Sequence, residues 1–181
     1  DTMGNDARVK KTKQKLHDAL LGLLDKKSIS AVTVSELCAA AQVRRSTFYT
    51  HYSIPSDVLD ELCREHEEAA LKAISLSDSH GDYKKMLTAI CGIMLDNSRF
   101  FSYLCKSSAG LEYLRGIADL SNKFFLDGFF KNTSAPRDDV RFVNRFATGG
   151  TLILLNDWCI GGMKEPVPQL VEKLDLITTL L

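Results

Sequence analysis

The chain has 181 residues, with 23 Lys+Arg against 23 Asp+Glu, 45% hydrophobic and 25% charged, a composition that excludes disordered and fibrous chains. A bilayer-crossing helix needs about 20 mostly apolar residues, whereas the longest stretches free of acidic and basic side chains, 46–56 and 146–156, are eleven residues each. The zero net charge hides an asymmetry: residues 1–52 carry nine Lys+Arg against five acids, net +4, and the remainder fourteen against eighteen, net −4, the pattern of a small nucleic-acid-binding head on a different kind of body.

The start, 1–15, is polar and basic without the apolar run of a secretory signal, so a cytoplasmic protein is expected. In the first helix Val9, Leu16, Ala19, Leu20, Leu23 and Leu24 recur at three-to-four-residue steps, while Lys10, Lys11, Lys13 and Lys15 occupy its early turns. The next helix opens on Thr33-Val34-Ser35-Glu36, a capping box in which the Thr33 hydroxyl accepts from the Glu36 amide and the Glu36 side chain reaches back. It runs to about Ala41. A third helix, near 45–52, follows after a tight turn, and Pro55 suits the first turn of a fourth that carries Val58, Leu59 and Leu62 inward. Two short helices behind a longer one make a helix-turn-helix. Beyond it helices are expected near 81–97, 99–106, 110–131, 137–161 and 167–180. The whole is all-α: a three-helix head over 1–54 joined to a helical bundle over 55–181.

The stretch from Val32 through Thr33, Leu37, Val43, Arg44, Arg45, Ser46, Thr47, Phe48 and Tyr49 to Tyr52 resembles the N-terminal domain of TetR/AcrR-family transcriptional regulators, whose signature pairs a Thr-led helix with a turn and a Thr-Phe-Tyr recognition helix. The resemblance covers about 8–62. It implies an all-helical homodimer with a C-terminal domain for dimerisation and ligand binding, acting on a double-stranded DNA operator.

Each residue type in the motif has a physical role. Val43 and Phe48 are spaced to plug the junction of the short helices, with Leu37 and Ala40 opposite. Arg44, Arg45, Ser46 and Thr47 start the helix that enters the major groove, where Arg can bridge guanine O6/N7 and Thr can meet a thymine methyl. Tyr49 and His51 lie where the family places phosphate contacts, Tyr52 where it places a core aromatic, and Thr33 at a helix start can hold a phosphate. The lysines of the first helix supply diffuse attraction that salt weakens.

Three positions depart from the family pattern. Gln42 stands where Gly usually makes the turn, at a cost of about 1 kcal/mol if the backbone is left-handed, so a slightly reshaped turn is expected. Arg44 replaces a capping Ser and cannot accept from the free amides. Pro55 replaces a phosphate-gripping Lys, leaving the helix-dipole end to act alone there.

In the body, Val143, Ala147, Gly150, Thr151, Leu154 and Trp158 recur at helical spacing, and Gly149-Gly150 admits another helix closely. This region is similar to the C-terminal part of a TetR subgroup, containing repressors and activators, whose Trp-bearing helix meets its symmetry mate in a four-helix bundle. Those residues are the expected dimer interface, with intramolecular core as the alternative. Among the aromatics, Phe101, Tyr103, Phe125 and Phe146 are candidates to line a small-molecule effector pocket.

No catalysis, cofactor or metal is expected. His66-Glu67-Glu68 begins like a zincin motif, but the second His would fall at Ala70. Cys38, Cys63, Cys91, Cys105 and Cys159 form no C-x-x-C pair and read as reduced core thiols. The alternative function is a helical interaction module that sets its basic head on an acidic protein partner.

Overall fold

The computed structural model describes residues 2–78, 83–107, 110, 112–119 and 135–180. Among them there are helices and no strand. The described elements are α1 (Thr2–Leu24), a short 3-10 turn (Ile29–Ala31), α2 (Val34–Ala41), α3 (Arg45–Tyr49), α4 (Pro55–Asp78), α5 (Tyr83–Asp96), α6 (Ser98–Lys106), a helical stretch at 112–119, α7 (Arg137–Ile160) and α8 (Val167–Leu180). The chain forms two compact units, Asp1–Glu65 and His66–Leu181, with the division inside α4.

In the first unit the stripe written on α1 is the one buried: Leu16 and Leu20 are fully enclosed and Leu24 nearly so, with Val9, Ala19 and Leu23 half-buried at its margins. Leu37, Phe48 and Val58 complete the centre, flanked by Leu59 and Leu62 of α4. Burial of each such side chain is worth about 1.5–3 kcal/mol. The first turns of α4 therefore pack with the head, which is why the compact unit extends past 54 to Glu65. One position in the small core differs from expectation. Ala40 is exposed, and Cys38 and Ala41 turn inward beside Leu37, because a helix as short as α2 buries only the face opposite α1 and α3.

In the second unit α5 packs on α8 and on α6, α6 on α7, and α7 on α8. Phe100, Phe101 and Tyr113 meet edge-on, with ring centroids 5.1–6.4 Å apart, and the His66 ring lies 4.4 Å from that of Phe100. The Tyr83 hydroxyl pairs with Thr151 Oγ1 at 2.9 Å, linking α5 to α7. At the end of α7, Gly162 has φ +84; its amide donates to the Cys159 carbonyl at 3.0 Å and the Met163 amide to that of Trp158 at 2.8 Å. This is a Schellman stop with glycine at the left-handed position. Trp158 secures the same corner by donating from Nε1 to the Glu165 carbonyl at 3.0 Å.

Candidate nucleic-acid interface

The capping box at the start of α2 is complete. The Glu36 amide donates to Thr33 Oγ1 at 3.3 Å, while the Thr33 amide and hydroxyl donate to Glu36 Oε2 at 3.1 and 2.9 Å. Lys27 donates to the other Glu36 oxygen at 2.6 Å. Lys27 first, then Thr33, hold the Glu36 carboxyl down at about 2. A phosphate approaching Thr33 would thus meet an ionised carboxylate, and the hydroxyl is already committed to both sides of the cap.

The turn that follows keeps its usual geometry despite its sequence. Gln42 adopts φ 54, ψ 44; its amide donates to Ala39 at 3.2 Å and the Val43 amide to Cys38 at 3.0 Å. That is again a Schellman motif, so the expected reshaping does not occur, and Gln42 sits in the left-handed region that disfavours a Cβ. Val43 is half-buried and Phe48 completely buried, which fixes α3 through its inner face.

The outer face of α3 is then set by helical geometry. Arg44, Arg45 and Ser46 are exposed, Thr47 is half-buried, and Tyr49 is 54% exposed. Arg44 flanks the helix in an extended conformation and makes no side-chain cap. His51 is half-buried with its ring 6.2 Å from that of Tyr52. Tyr52 is buried, as its expected core role requires.

Two acidic residues organise the surroundings of α3. Glu61, half-buried on α4, accepts from Lys13, from His17 Nε2 at 3.2 Å and from the Tyr52 hydroxyl. Burial pushes its carboxyl up, but the hydrogen bonds from Lys13, Tyr52 and His17 outweigh that and hold it at about 2. Lys13 is thereby engaged inside the protein, leaving Lys10, Lys11 and Lys15 as the exposed lysines of the α1 start. The second is Asp57, whose Oδ2 accepts the amides of Ser53 at 2.6 Å and Ile54 at 3.0 Å. These bonds, Ile54's first, hold the Asp57 carboxyl below its ordinary range. The α4 start was expected to offer its dipole end to DNA. It is instead filled by the chain's own carboxylate. An open cleft of about 670 Å³ beside it includes Tyr49, His51, Asp57, Asp60 and Arg64 in its lining. Net acidity there leaves the start of α3 as the part of this face suited to a polyanion.

Neither acid was singled out from sequence, although each left a trace. Asp57 lies three residues after Ile54, the spacing at which a side chain reaches back to a helix start. Glu61 is a lone acid among Val58, Leu59 and Leu62 on the inward face of α4.

On α7 the residues expected at a dimer interface separate into two faces. Thr151 and Trp158 are buried within their own unit, at 6% and 7% exposure, since positions seven apart return to one side of a helix. Val143 and Leu154 are exposed, Ala147 and Gly150 half-exposed, and Phe142, Phe146, Ile153 and Ile160 extend that apolar outer stripe. A Cβ built on Gly149 or Gly150 meets no atom within 4 Å. Of the pocket candidates, Phe101 is in the aromatic core and Tyr103 is half-buried, whereas Phe146 is 66% exposed and is not enclosed; Phe125 lies outside the described residues.

Among the described residues His17, Glu61 and Glu65 are close enough to share an ion, but Glu61 already has its ammonium in Lys13. No described helix is long and apolar enough to cross a membrane.

A capped α2, a left-handed turn and a short α3 with a buried aromatic and a basic outer start constitute a helix-turn-helix unit attached to a helical body. The family model described as the C-terminal region of TetR-type transcriptional regulators matches residues 81–179. The chain belongs to the TetR family of transcriptional regulators, and DNA binding is the activity that this family implies. It superposes on a TetR transcriptional regulator from Streptococcus agalactiae 2603V with a TM-score of 0.67 at 23% identity, covering 99% of this chain and 98% of that one. The dihydroxyacetone kinase operon activator DhaS gives a TM-score of 0.69 at 17% identity over 93% of this chain and 95% of its own. An uncharacterized HTH-type transcriptional regulator of Bacillus subtilis (strain 168), YxbF, is 25% identical over 79 residues, which are 43% of this chain and 21% of that protein.

Proposed function

We propose that the protein is a homodimer that binds a palindromic operator by inserting α3 of each subunit into the major groove. The observation that carries this reading is the exposure of Arg44, Arg45 and Ser46 at the start of a helix whose opposite side is locked by Phe48. Arg45 and Thr47 read base edges, and Tyr49 and His51 fix register on phosphates, with Arg44 and Ser46 serving either part. Thr33 contributes chiefly as the cap of α2.

The outer stripe of α7, with Val143, Ala147, Gly150 and Leu154, forms the subunit contact in this reading. Its support is the run of exposed apolar side chains and the open space over Gly150. A small-molecule effector in the body shifts the population between states that differ in the spacing of the two α3 helices, which must match grooves roughly 34–36 Å apart. No catalytic step and no cofactor belong to this function.

Selection of bound sequences from random duplex DNA tests it. Enrichment of one palindrome, with binding that survives competitor DNA and falls steeply with salt, is the expected result. Recovery of no preferred sequence, with capture of acidic proteins instead, would replace it with the interaction-module reading.

A further inference from the structure

Lys13 and His17 stand one turn apart on one side of α1, and both reach Glu61 of α4. Lys13 donates to Glu61 Oε1, while Oε2 is shared by His17 Nε2, at 3.2 Å, and the Tyr52 hydroxyl. The His17 side chain is buried and that of Lys13 is 33% exposed, so the ammonium lies at the rim of the network. Its Nζ is 5.9 Å from the centre of the Tyr52 ring. That ring lies 5.6 Å from the ring of Phe48, the fully buried aromatic on the inner side of α3. Glu61 also lines the open cleft that holds Tyr49 and His51, the two side chains assigned to phosphates under the proposed function.

We propose that Glu61 is a positioning residue for discrimination between operator and other DNA, acting through Tyr52 on α3 and through Lys13 on the charge offered to phosphates, an inference that rests on the operator reading of α3. Through Tyr52 and Phe48 the carboxylate fixes α3 against α1 and α4. Hydrogen bonds to base edges weaken steeply when misaligned, so sequence-specific binding depends on that orientation. Binding without sequence preference depends instead on cations near phosphates. Glu61 withdraws one such cation: with Lys13 committed to it, that ammonium adds nothing to the attraction around Tyr49 and His51. The two effects reinforce each other, because the same negative charge strengthens operator binding and weakens binding elsewhere. An acid that merely held the fold together would support both kinds of binding alike.

The test compares the full-length protein with Glu61→Gln, Tyr52→Phe and Lys13→Met on the selected palindrome and on a scrambled duplex of equal length. Affinities are measured over a series of salt concentrations, at a temperature where the helical signal shows each protein fully folded. Glu61→Gln should lower the ratio of operator to scrambled affinity about tenfold, the scale of one weakened hydrogen bond in each of two subunits. It should also bind the scrambled duplex more tightly, with a logarithmic salt slope steeper by about 0.9 per subunit as Lys13 is released. Adding Lys13→Met to Glu61→Gln should return that slope to the native value. Tyr52→Phe should lower the ratio at the native slope, and Lys13→Met alone should leave the scrambled slope unchanged; these two single variants decide the matter if Glu61→Gln fails to fold. Equal weakening of both duplexes by Glu61→Gln at the native slope, or a shallower slope in Lys13→Met alone, would overturn the proposal. A native protein that selects no palindrome would overturn the operator reading and this inference with it, whereas a native palindrome with an unchanged ratio in Glu61→Gln or Tyr52→Phe would overturn this inference alone.

Discussion

Tyr52, just beyond α3, donates its phenolic hydrogen bond to Glu61, and the same carboxylate receives Lys13 and His17 of α1. One half-buried acid thereby joins the start of α4, the basic helix and the segment that carries α3. Replacing Glu61 with Gln should destabilise the head by about 2 kcal/mol, the scale of a hydrogen bond to a charged group. The pH dependence follows from the sign of its shift. Its folded value of about 2 lies below the ordinary 4.5, so its contribution is complete above about 4.5 and is lost as pH falls through about 2. Glu36 titrates in the same window. The Glu61 share is therefore the difference between native and Glu61→Gln denaturant midpoints followed down through that range. Identical slopes in the two proteins would remove the assignment.

Arg45 and Tyr49 should separate specificity from affinity. Arg45→Ala is expected to cost about 1–3 kcal/mol on the preferred operator and to relax base choice at one position of each half-site. Tyr49→Phe should weaken all duplexes alike. Titrations against the selected operator and single-base variants distinguish the two, and an equal loss on every sequence for Arg45→Ala would deny it a reading role.

Gln42 carries a side chain where the backbone is left-handed. Gln42→Gly should therefore stabilise the protein by about 1 kcal/mol, raising the thermal midpoint while preserving operator preference. A lower midpoint would mean that the exposed Gln side chain contributes more than its backbone conformation costs.

Because no atom lies within 4 Å of a Cβ at Gly150, Gly150→Leu should fold as a single chain and fail to assemble. Sedimentation against concentration, paired with a helical melt of the same sample, gives the answer. A dimer of unchanged affinity would move the subunit contact elsewhere.

The head was readable because local rules coincide there. Thr33 and Glu36 announce the cap of α2, Leu16 and Leu20 the buried stripe of α1, and Pro55 the start of α4. The body was less so. Thr151 and Leu154 belong to one apolar rhythm in sequence, but only packing against Tyr83 shows that Thr151 faces inward. Glu61 and Asp57 left only a faint trace for a related reason: their partners His17 and Ser53 become neighbours through a tertiary contact and a loop conformation.

Asp57 seats the chain's own carboxylate at the start of α4, and in the proposed operator complex that would make binding more tolerant of ionic strength than in a regulator that grips DNA there. Each phosphate left unneutralised removes about 0.9 from the logarithmic salt slope, so the proposed twofold complex would be shallower by about 1.8. On that reading, affinity in dilute buffer is given up for binding that falls less steeply as salt rises.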